Sequence, residues 1–296
     1  MQTIISPEAM QKLAMEWRRA GKKIGFVPTM GFLHEGHMSL VKKARSSADI
    51  VVLSIFVNPL QFGPKEDFEK YPRDFERDAE LCRQNGVDII FNPSVQEMYP
   101  GAAGASSPDN TVFIDENDLS KQLCGRSRPN HFRGVLTVVG KLFNIVLPDA
   151  AVFGQKDAQQ AILIRRMIHN LNFPVRMIVA PIVRERDGLA MSSRNAYLSP
   201  EERREATCLS AALKKARGLY RAGERDAAVI RTAMSEHIAK FKSAAMDYIE
   251  IVWENDLKPL DKISGENILI ALAVRIGKTR LIDNLPLPDD RPGNLP

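Results

Sequence analysis

An α/β fold with a mainly parallel, doubly wound sheet and a smaller C-terminal α+β domain is predicted from two observations. Through the first 180 residues, short β-branched apolar runs alternate with stretches of helical periodicity, the pattern left by βαβ units. Beyond the segment RERDGLAMSSRN that alternation stops, and two long helical patterns are followed by strand-rich segments. A chain of 296 residues accommodates about two domains of roughly 100 to 200 residues each. The change of pattern divides it into a Rossmann-like domain over 1–183 and a C-terminal α+β domain over 184–296.

In chain order, Ile24–Pro28, Ile50–Val57, Val87–Phe91, Val112–Ile114, Ala151–Phe153 and Val175–Ala180 read as strands. Between them, Met38–Arg45, Asp74–Gln84 with Gly86 beyond its end, Gly134–Leu147 and Ala158–Leu171 carry apolar residues at helical spacing. In the C-terminal domain Ser199 is placed as an N-cap, Pro200 at the first helical position and Glu202 for a capping box. One long helix is predicted from there to about Tyr220, and a second over Ala227–Phe241. DYIEIVW and NILIALAVRIGKTRLID then read as strand-forming segments. There is no internal repeat, and PGAAGASSPDN, from Pro100 to Asn110, reads as a surface loop.

Composition removes several classes of function. The hydrophobic share of 44% and charged share of 26% are those of a globular chain, with no apolar run of the roughly 18 residues a membrane span needs. The opening MQTIISPEAMQKL lacks a basic region followed by an apolar one, so a cytoplasmic protein is expected. Cys82, Cys124 and Cys208 are odd in number and widely spaced, which suits reduced structural thiols rather than disulfides or a thiolate zinc site. The net charge of +5 comes from basic residues interleaved with acidic ones, a solvated surface rather than a nucleic-acid face. Part of that positive excess suits an anionic substrate.

The most informative stretch is GFVPTMGFLHEGHMSL, Gly25 to Leu40, which passes from the first of these strands through a Gly-broken turn into a helix. His34 and His37 stand three residues apart at the junction. Zinc sites of the HExxH type need histidines four apart on one helix face, Gly36 disfavours a helix through the motif, and the cysteines offer no nearby third ligand, so no metal is assigned. A strand-to-helix junction does supply N–H groups and a helix dipole for an anion, and Gly31 and Gly36 allow close backbone approach. Histidines there can donate to phosphate, most strongly to the charge that builds in a transition state.

Asn58 and Gln61, in SIFVNPLQF, end the second of these strands, and in a doubly wound sheet that puts neutral amides beside the same crevice. Amides can hold hydroxyl and carboxylate oxygens without neutralising a nucleophilic carboxylate. Gly154, Gln155, Lys156 and Asp157 open another helix after a strand; Lys156 suits phosphate charge and Asp157 ribose hydroxyls. In GLAMSSRN, Ser192 and Ser193 supply hydroxyl donors and Arg194 a fork suited to phosphate oxygens. The segment GPKEDFEKYPRDFERD is too charged for a core element and reads as surface.

PTMGFLHEGH resembles the HxGH signature of the nucleotidyltransferase superfamily, and with SIFVNPLQF, FGQKDAQQ and GLAMSSRN it is similar, in order and spacing, to the pantothenate synthetase family. The resemblance covers nearly the whole chain. It implies a ligase that joins pantoate to β-alanine through pantoyl adenylate, with ATP as a substrate, Mg2+ carried mainly on the ATP phosphates, and a homodimer. It implies that Met30, Gly31, Phe32, Leu33, His34, Glu35, Gly36 and His37 form an ATP-binding turn in which His34 and His37 are catalytic, His37 as proton donor. Gly154, Gln155, Lys156, Asp157, Val183, Met191, Ser192, Ser193 and Arg194 follow as further ATP contacts, with Met191 to Arg194 a phosphate-binding loop. Gln61, Gln160 and Asn58 follow as contacts to pantoate and β-alanine, the charged 63–78 segment as a gate, and the C-terminal domain as a lid. Phe32, where the family commonly has a smaller residue, and Met38, where Leu is common, depart from the pattern beside the ligands.

Two rival functions share part of this pattern. A class I aminoacyl-tRNA synthetase or a cytidylyltransferase shares HxGH, but the C-terminal domain shows no clustered basic face for RNA. A regulatory nucleotide-binding module would not need paired amides for an organic acid.

Overall fold

Helix-start chemistry at the N-terminus sets up the first elements. The computed structural model of the chain describes residues 1–64, 66–100 and 112–288, so all but Pro100 of the expected surface loop lies outside the described residues. A short strand β1 (Gln2–Ile4) precedes α1 (Pro7–Arg19), where the Ser6 hydroxyl accepts from the Ala9 N–H at 3.2 Å and Pro7 opens the helix. Neither was predicted: β1 has one buried residue, and α1 buries only Met10 and Ala14.

By its contacts the chain divides into two units, Met1–Gly154 with Gln159–Ala180, and Gln155–Ala158 with Pro181–Pro296. The first contains β2 (Ile24–Thr29), α2 (Glu35–Arg45), β3 (Ile50–Ile55), α3 (Phe75–Gln84) and β4 (Ile89–Phe91). It continues through α4 (Val95–Met98), α5 (Cys124–Ser127), α6 (His131–Val146), β5 (Ala150–Gly154), most of α7 (Ala158–Asn170) and β6 (Arg176–Ala180). Its six strands are parallel in the order β1-β4-β3-β2-β5-β6. From β2 the chain winds one way to β3 and β4, then returns to β5 and winds the other way. The switch point lies between β2 and β5, where Gly25 pairs with Ala150, and in such sheets the ligand crevice opens at the carboxyl ends of those strands. Met30 follows the end of β2 and Gly154 is the end of β5. Gly25 has a packing reason: a Cβ would stand 3.0 Å from the Ala44 oxygen, so glycine lets α2 lie close on β2. Val27, Met38, Val41, Leu53, Ile90 and Val152 fill the core between them.

The second unit holds α8 (Pro200–Glu205), α9 (Cys208–Arg221), α10 (Ala227–Ile238) and the antiparallel sheet β7 (Ala244–Trp253), β8 (Ile268–Ile276), β9 (Thr279–Leu287). Leu209, Leu213, Ile230 and Met234 pack with Ile251, Ile270 and Leu272 as its core.

Several expectations are corrected. Val112–Ile114 is not a strand: the Ile114 N–H donates to the Thr137 hydroxyl at 3.0 Å and its side chain packs at Gly140, so α6 rather than a neighbouring strand satisfies it. The long helix begins at Ser199 with the predicted capping box but breaks at Ala206–Thr207, where the Thr207 hydroxyl donates to the Arg204 carbonyl at 2.7 Å. The segment NILIALAVRIGKTRLID does form strands as expected, two of them, joined at Gly277–Lys278 with Gly277 at φ 55°. α2 starts three residues earlier than predicted, so Gly36 does sit in a helix; in the first turn a glycine forfeits no interior hydrogen bond.

Candidate active site

The turn between β2 and α2 is shaped by one buried carboxylate. The N–H groups of Phe32 and Leu33 each donate at 2.7 Å to the two oxygens of Asp78 on α3, whose side chain is 1% exposed. Gly31 lies at φ 82°, and a Cβ there would meet both Asp78 Oδ2 and Ile55 Cγ2 at 3.0 Å. Phe32 lies at φ 48°, a conformation costly for a side chain, and the Arg77 guanidinium sits 5.1 Å from its ring centroid. Burial raises the Asp78 pKa above its ordinary value, against the lowering effect of the Leu33 and Phe32 hydrogen bonds and the Arg77 charge. The sequence reading missed Asp78 because it lies at the end of a segment dense in charge. A signal was present: with Ala79 and Cys82, Asp78 falls on the apolar side of α3.

Asp78 also changes where an anion can bind. Gly31 donates to the Thr29 hydroxyl at 3.2 Å, Phe32 and Leu33 to Asp78, and His34 to His37 Nδ1 at 3.3 Å. Among the described residues the N–H groups of Glu35 and Gly36 meet no acceptor, so the helix start presents those two. Because His37 Nδ1 accepts, the proton of the neutral ring is on Nε2, which is thereby a donor. The two imidazole centroids are 4.1 Å apart.

The amide pair is built in the same unit. Asn58 is 1% exposed and its carboxamide is filled: Nδ2 donates to Gln61 Oε1 at 3.2 Å and the Gly134 carbonyl at 3.1 Å, while Oδ1 accepts from Leu60 N–H and the Tyr99 hydroxyl. Burial raises the Tyr99 phenol's pKa, which keeps it a neutral donor. Gln61 donates to Met30 Sδ at 3.0 Å, so the amide and the first residue of the 30–37 turn are brought together. Gly134 makes this possible, since a Cβ there would lie 2.2 Å from the Leu60 oxygen. Behind the turn, Arg128 grips Glu66 with two bonds of 2.7 Å, and His131 Nδ1 donates to the Gln61 carbonyl at 2.8 Å. Burial would raise the Glu66 pKa, but the Arg128 hydrogen bond and charge pull it down to about 2. Glu66, Arg128 and His131 were also missed. On α7, Gln159 is buried and bonds to Cys124, Leu119 and Gln122, while its neighbour Gln160 is half-buried, its side chain without a hydrogen bond to the described residues.

In the second unit, Gln155, Lys156 and Asp157 form a single turn, with Lys156 Nζ 3.6 Å from Asp157 Oδ1. Val183 and Met191 are brought together by the bond from Met191 N–H to the Val183 carbonyl at 3.0 Å, which closes a loop whose Gly188 lies at φ 96°. Ser192 caps the turn Ser193–Tyr197 by accepting from Arg194 N–H at 3.3 Å, and Ser193 is buried. Asn195 anchors the loop to Glu185 at 2.8 Å, and Arg203 bridges Glu185 and Asp187 at 2.6 Å each. Among the described residues no group of three or more His, Cys, Asp or Glu side chains is arranged to hold a metal, and no helix is long and apolar enough to cross a membrane.

A doubly wound sheet with a histidine pair at the helix start beside its switch point is the architecture of an α/β protein suited to a nucleotide. The model of the Pantoate-beta-alanine ligase family matches residues 2–286, and the chain belongs to that family. It is 57% identical over 284 residues to the pantothenate synthetase of Thermotoga neapolitana, covering 96% of this chain and 99% of that one. To that of Fervidobacterium nodosum it is 58% identical over 285 residues, with the same coverage. Its fold matches the crystal structure of pantothenate synthetase from Thermus thermophilus with a TM-score of 0.88, at 42% identity over 97% of this chain and 99% of that one. It also matches the pantoate-beta-alanine ligase from Francisella tularensis, complexed with beta-gamma ATP and beta-alanine, at TM-score 0.78, 33% identity and 97% of each chain.

Proposed function

We propose that the chain condenses pantoate with β-alanine through a pantoyl adenylate, releasing pyrophosphate and then AMP. As a member of its family it is a carbon–nitrogen ligase that forms pantothenate and uses ATP. The observation that carries the adenylate route is the His34–His37 pair at the start of α2, with the Nε2 proton of His37 defined by the bond at Nδ1 and the N–H groups of Glu35 and Gly36 beside it. That group suits charge developing at the α-phosphorus. The sequence holds no GxxxxGK[ST] loop of the kind that cradles γ-phosphoryl transfer.

A pantoate carboxylate oxygen attacks the α-phosphorus and the bond to pyrophosphate breaks. The β-alanine amine then attacks the acyl carbon, loses a proton, and AMP leaves with the bonding pair. His37 donates to the phosphate oxygens in the first step and His34 supports it. Gln61 and Gln160 bind pantoate, and Asn58 acts through Gln61, since its own amide is filled. Lys156 and Arg194 meet phosphate charge, Ser192 and Ser193 donate to it, and Gly154, Gln155, Asp157, Val183 and Met191 line the nucleotide. Mg2+ enters on the ATP phosphates and screens their charge. The C-terminal domain as a lid, the 63–78 segment as a gate, and a cytoplasmic homodimer belong to the same proposal.

Incubation with ATP, Mg2+ and pantoate, without β-alanine, is expected to release about one pyrophosphate per site and to exchange labelled pyrophosphate into ATP. Later addition of β-alanine should release AMP. ADP as product, or exchange that requires β-alanine, overturns the route.

A further inference from the structure

We propose that Asn284 of β9 is a positioning residue for the nucleotide side of the site, an inference that rests on the function proposed above. Asn284 is 4% exposed. Its Nδ2 donates to the main-chain carbonyls of Gln155 at 2.9 Å and Lys156 at 3.0 Å, and its Oδ1 accepts from Gln155 Nε2 at 3.0 Å. Three bonds from one rigid planar group therefore fix the backbone from which the Lys156 side chain departs. Asn284 does not touch that side chain's ammonium, so it acts by aim.

Its neighbour extends the arrangement. The Asn284 N–H donates to Asp283 Oδ1 at 2.8 Å, and the buried Asp283 carboxylate holds Arg184 through two bonds of 2.7 and 2.9 Å. Arg184 in turn donates to the Gly188 carbonyl at 3.0 Å, in the loop that leads to Met191 and Ser192. Successive residues of a strand face opposite ways. Here one residue of the pair holds the Gln155–Lys156 turn and the other the 184–188 loop, so β9 sets both nucleotide segments on one support.

The chemistry is specific to a carboxamide. Two carbonyl oxygens require two N–H donors, and the Gln155 amide requires an acceptor. Aspartate has the same shape and cannot meet that demand: ionised, it sets a carboxylate against two carbonyls, and protonated, it offers one donor. The pantoate-dependent exchange of pyrophosphate into ATP is the test. Asn284→Asp is expected to raise the KM for ATP about tenfold or more, to leave the KM for pantoate within about twofold, and to recover part of the loss as pH is lowered. If Asn284→Asp does not fold, Asn284→Ala removes the three bonds without adding charge, and the same split between the two KM values is expected at smaller size. Lys156→Ala combined with Asn284→Ala should be no worse for ATP than Lys156→Ala alone. An unchanged KM for ATP in a folded variant, equal shifts for ATP and pantoate, or effects that multiply in the double variant overturn the inference while the proposed reaction stands. Absence of exchange in the wild-type protein overturns the reaction, and this inference with it.

Discussion

Two turns carry most of the candidate nucleotide contacts, and they are held by side chains of opposite hydrogen-bonding character. The 30–37 turn folds its N–H groups onto a carboxylate, Asp78; the 155–157 turn presents carbonyls to a carboxamide, Asn284. The first arrangement consumes donors that an anion would otherwise use, and concentrates what remains at Glu35, Gly36 and the histidines. The second consumes acceptors and leaves the Lys156 ammonium beside Asp157 at 3.6 Å. The turn proposed for chemistry is thus narrowed to a few donors, and the turn proposed for binding is fixed through its carbonyls.

Variants in both turns put that contrast to the test, in falling order of consequence. His37→Ala, and likewise His34→Ala, is expected to slow pyrophosphate exchange about a hundredfold or more with a small change in ATP affinity, because the loss falls on transition-state charge. Lys156→Ala should do the reverse, raising the KM for ATP about tenfold, as removal of a charge-assisted bond predicts. If the two variants gave the same split, the contrast would collapse. Gln61→Ala should weaken use of pantoate about five- to a hundredfold and leave ATP nearly alone, by the cost of about 1 to 3 kcal/mol for an unpaired buried polar group. Loss of ATP binding with pantoate binding intact would assign Gln61 to the nucleotide instead.

Asp78→Asn sets an NH2 against a backbone N–H and should lower the melting temperature and the exchange rate together, in contrast to Asn284→Asp, whose kinetic effect is expected chiefly on the KM for ATP. The raised pKa of Asp78 gives a sign: as pH falls toward a value above 3.8, protonation removes one acceptor from the turn, so exchange should fade on the acid side earlier than for an ordinary aspartate. Asp78→Asn should abolish that acid limb. The smallest effect is at Glu66. Its folded pKa of about 2 lies below the ordinary 4.5, so the stability it contributes is complete above about 4.5 and lost as pH falls toward 2. Glu66→Gln should therefore be less stable than wild type in urea unfolding at pH 7, with the gap closing at pH 3.

What was legible in the sequence was what repeats along it or announces itself locally. The β2, β3, β5 and β6 runs, the Ser199 capping box and the HEGH junction could be read because period, cap chemistry and spacing are local properties. The parts that escaped depend on partners far away in the chain. Asp78 meets Phe32 across 46 positions, Arg128 meets Glu66 across 62, and Asn284 meets Gln155 across 129. Gln159 and Gln160 are identical by type, and only the face of α7 on which each falls distinguishes the one bonded to three backbone groups from its neighbour. Val112–Ile114 misled because three apolar residues packed on a helix look like three in a strand, and the contact with Thr137 and Gly140 of α6 is not written locally.

Gly134 shows how far the placement of a contact can depend on an atom that is not there. The α6 backbone lies against the Leu60–Gln61 peptide with no room for a methyl group, 2.2 Å being far inside contact distance, so that helix serves as a gauge block against which the Gln61 amide is set. Position errors of about 1 Å can cost about a hundredfold in rate. The tolerance of the proposed pantoate contact is therefore machined into the main chain of α6 at a residue without a side chain, one turn from the His131 ring that holds the Gln61 carbonyl, and alanine there would shift the amide without altering a single group expected to touch substrate.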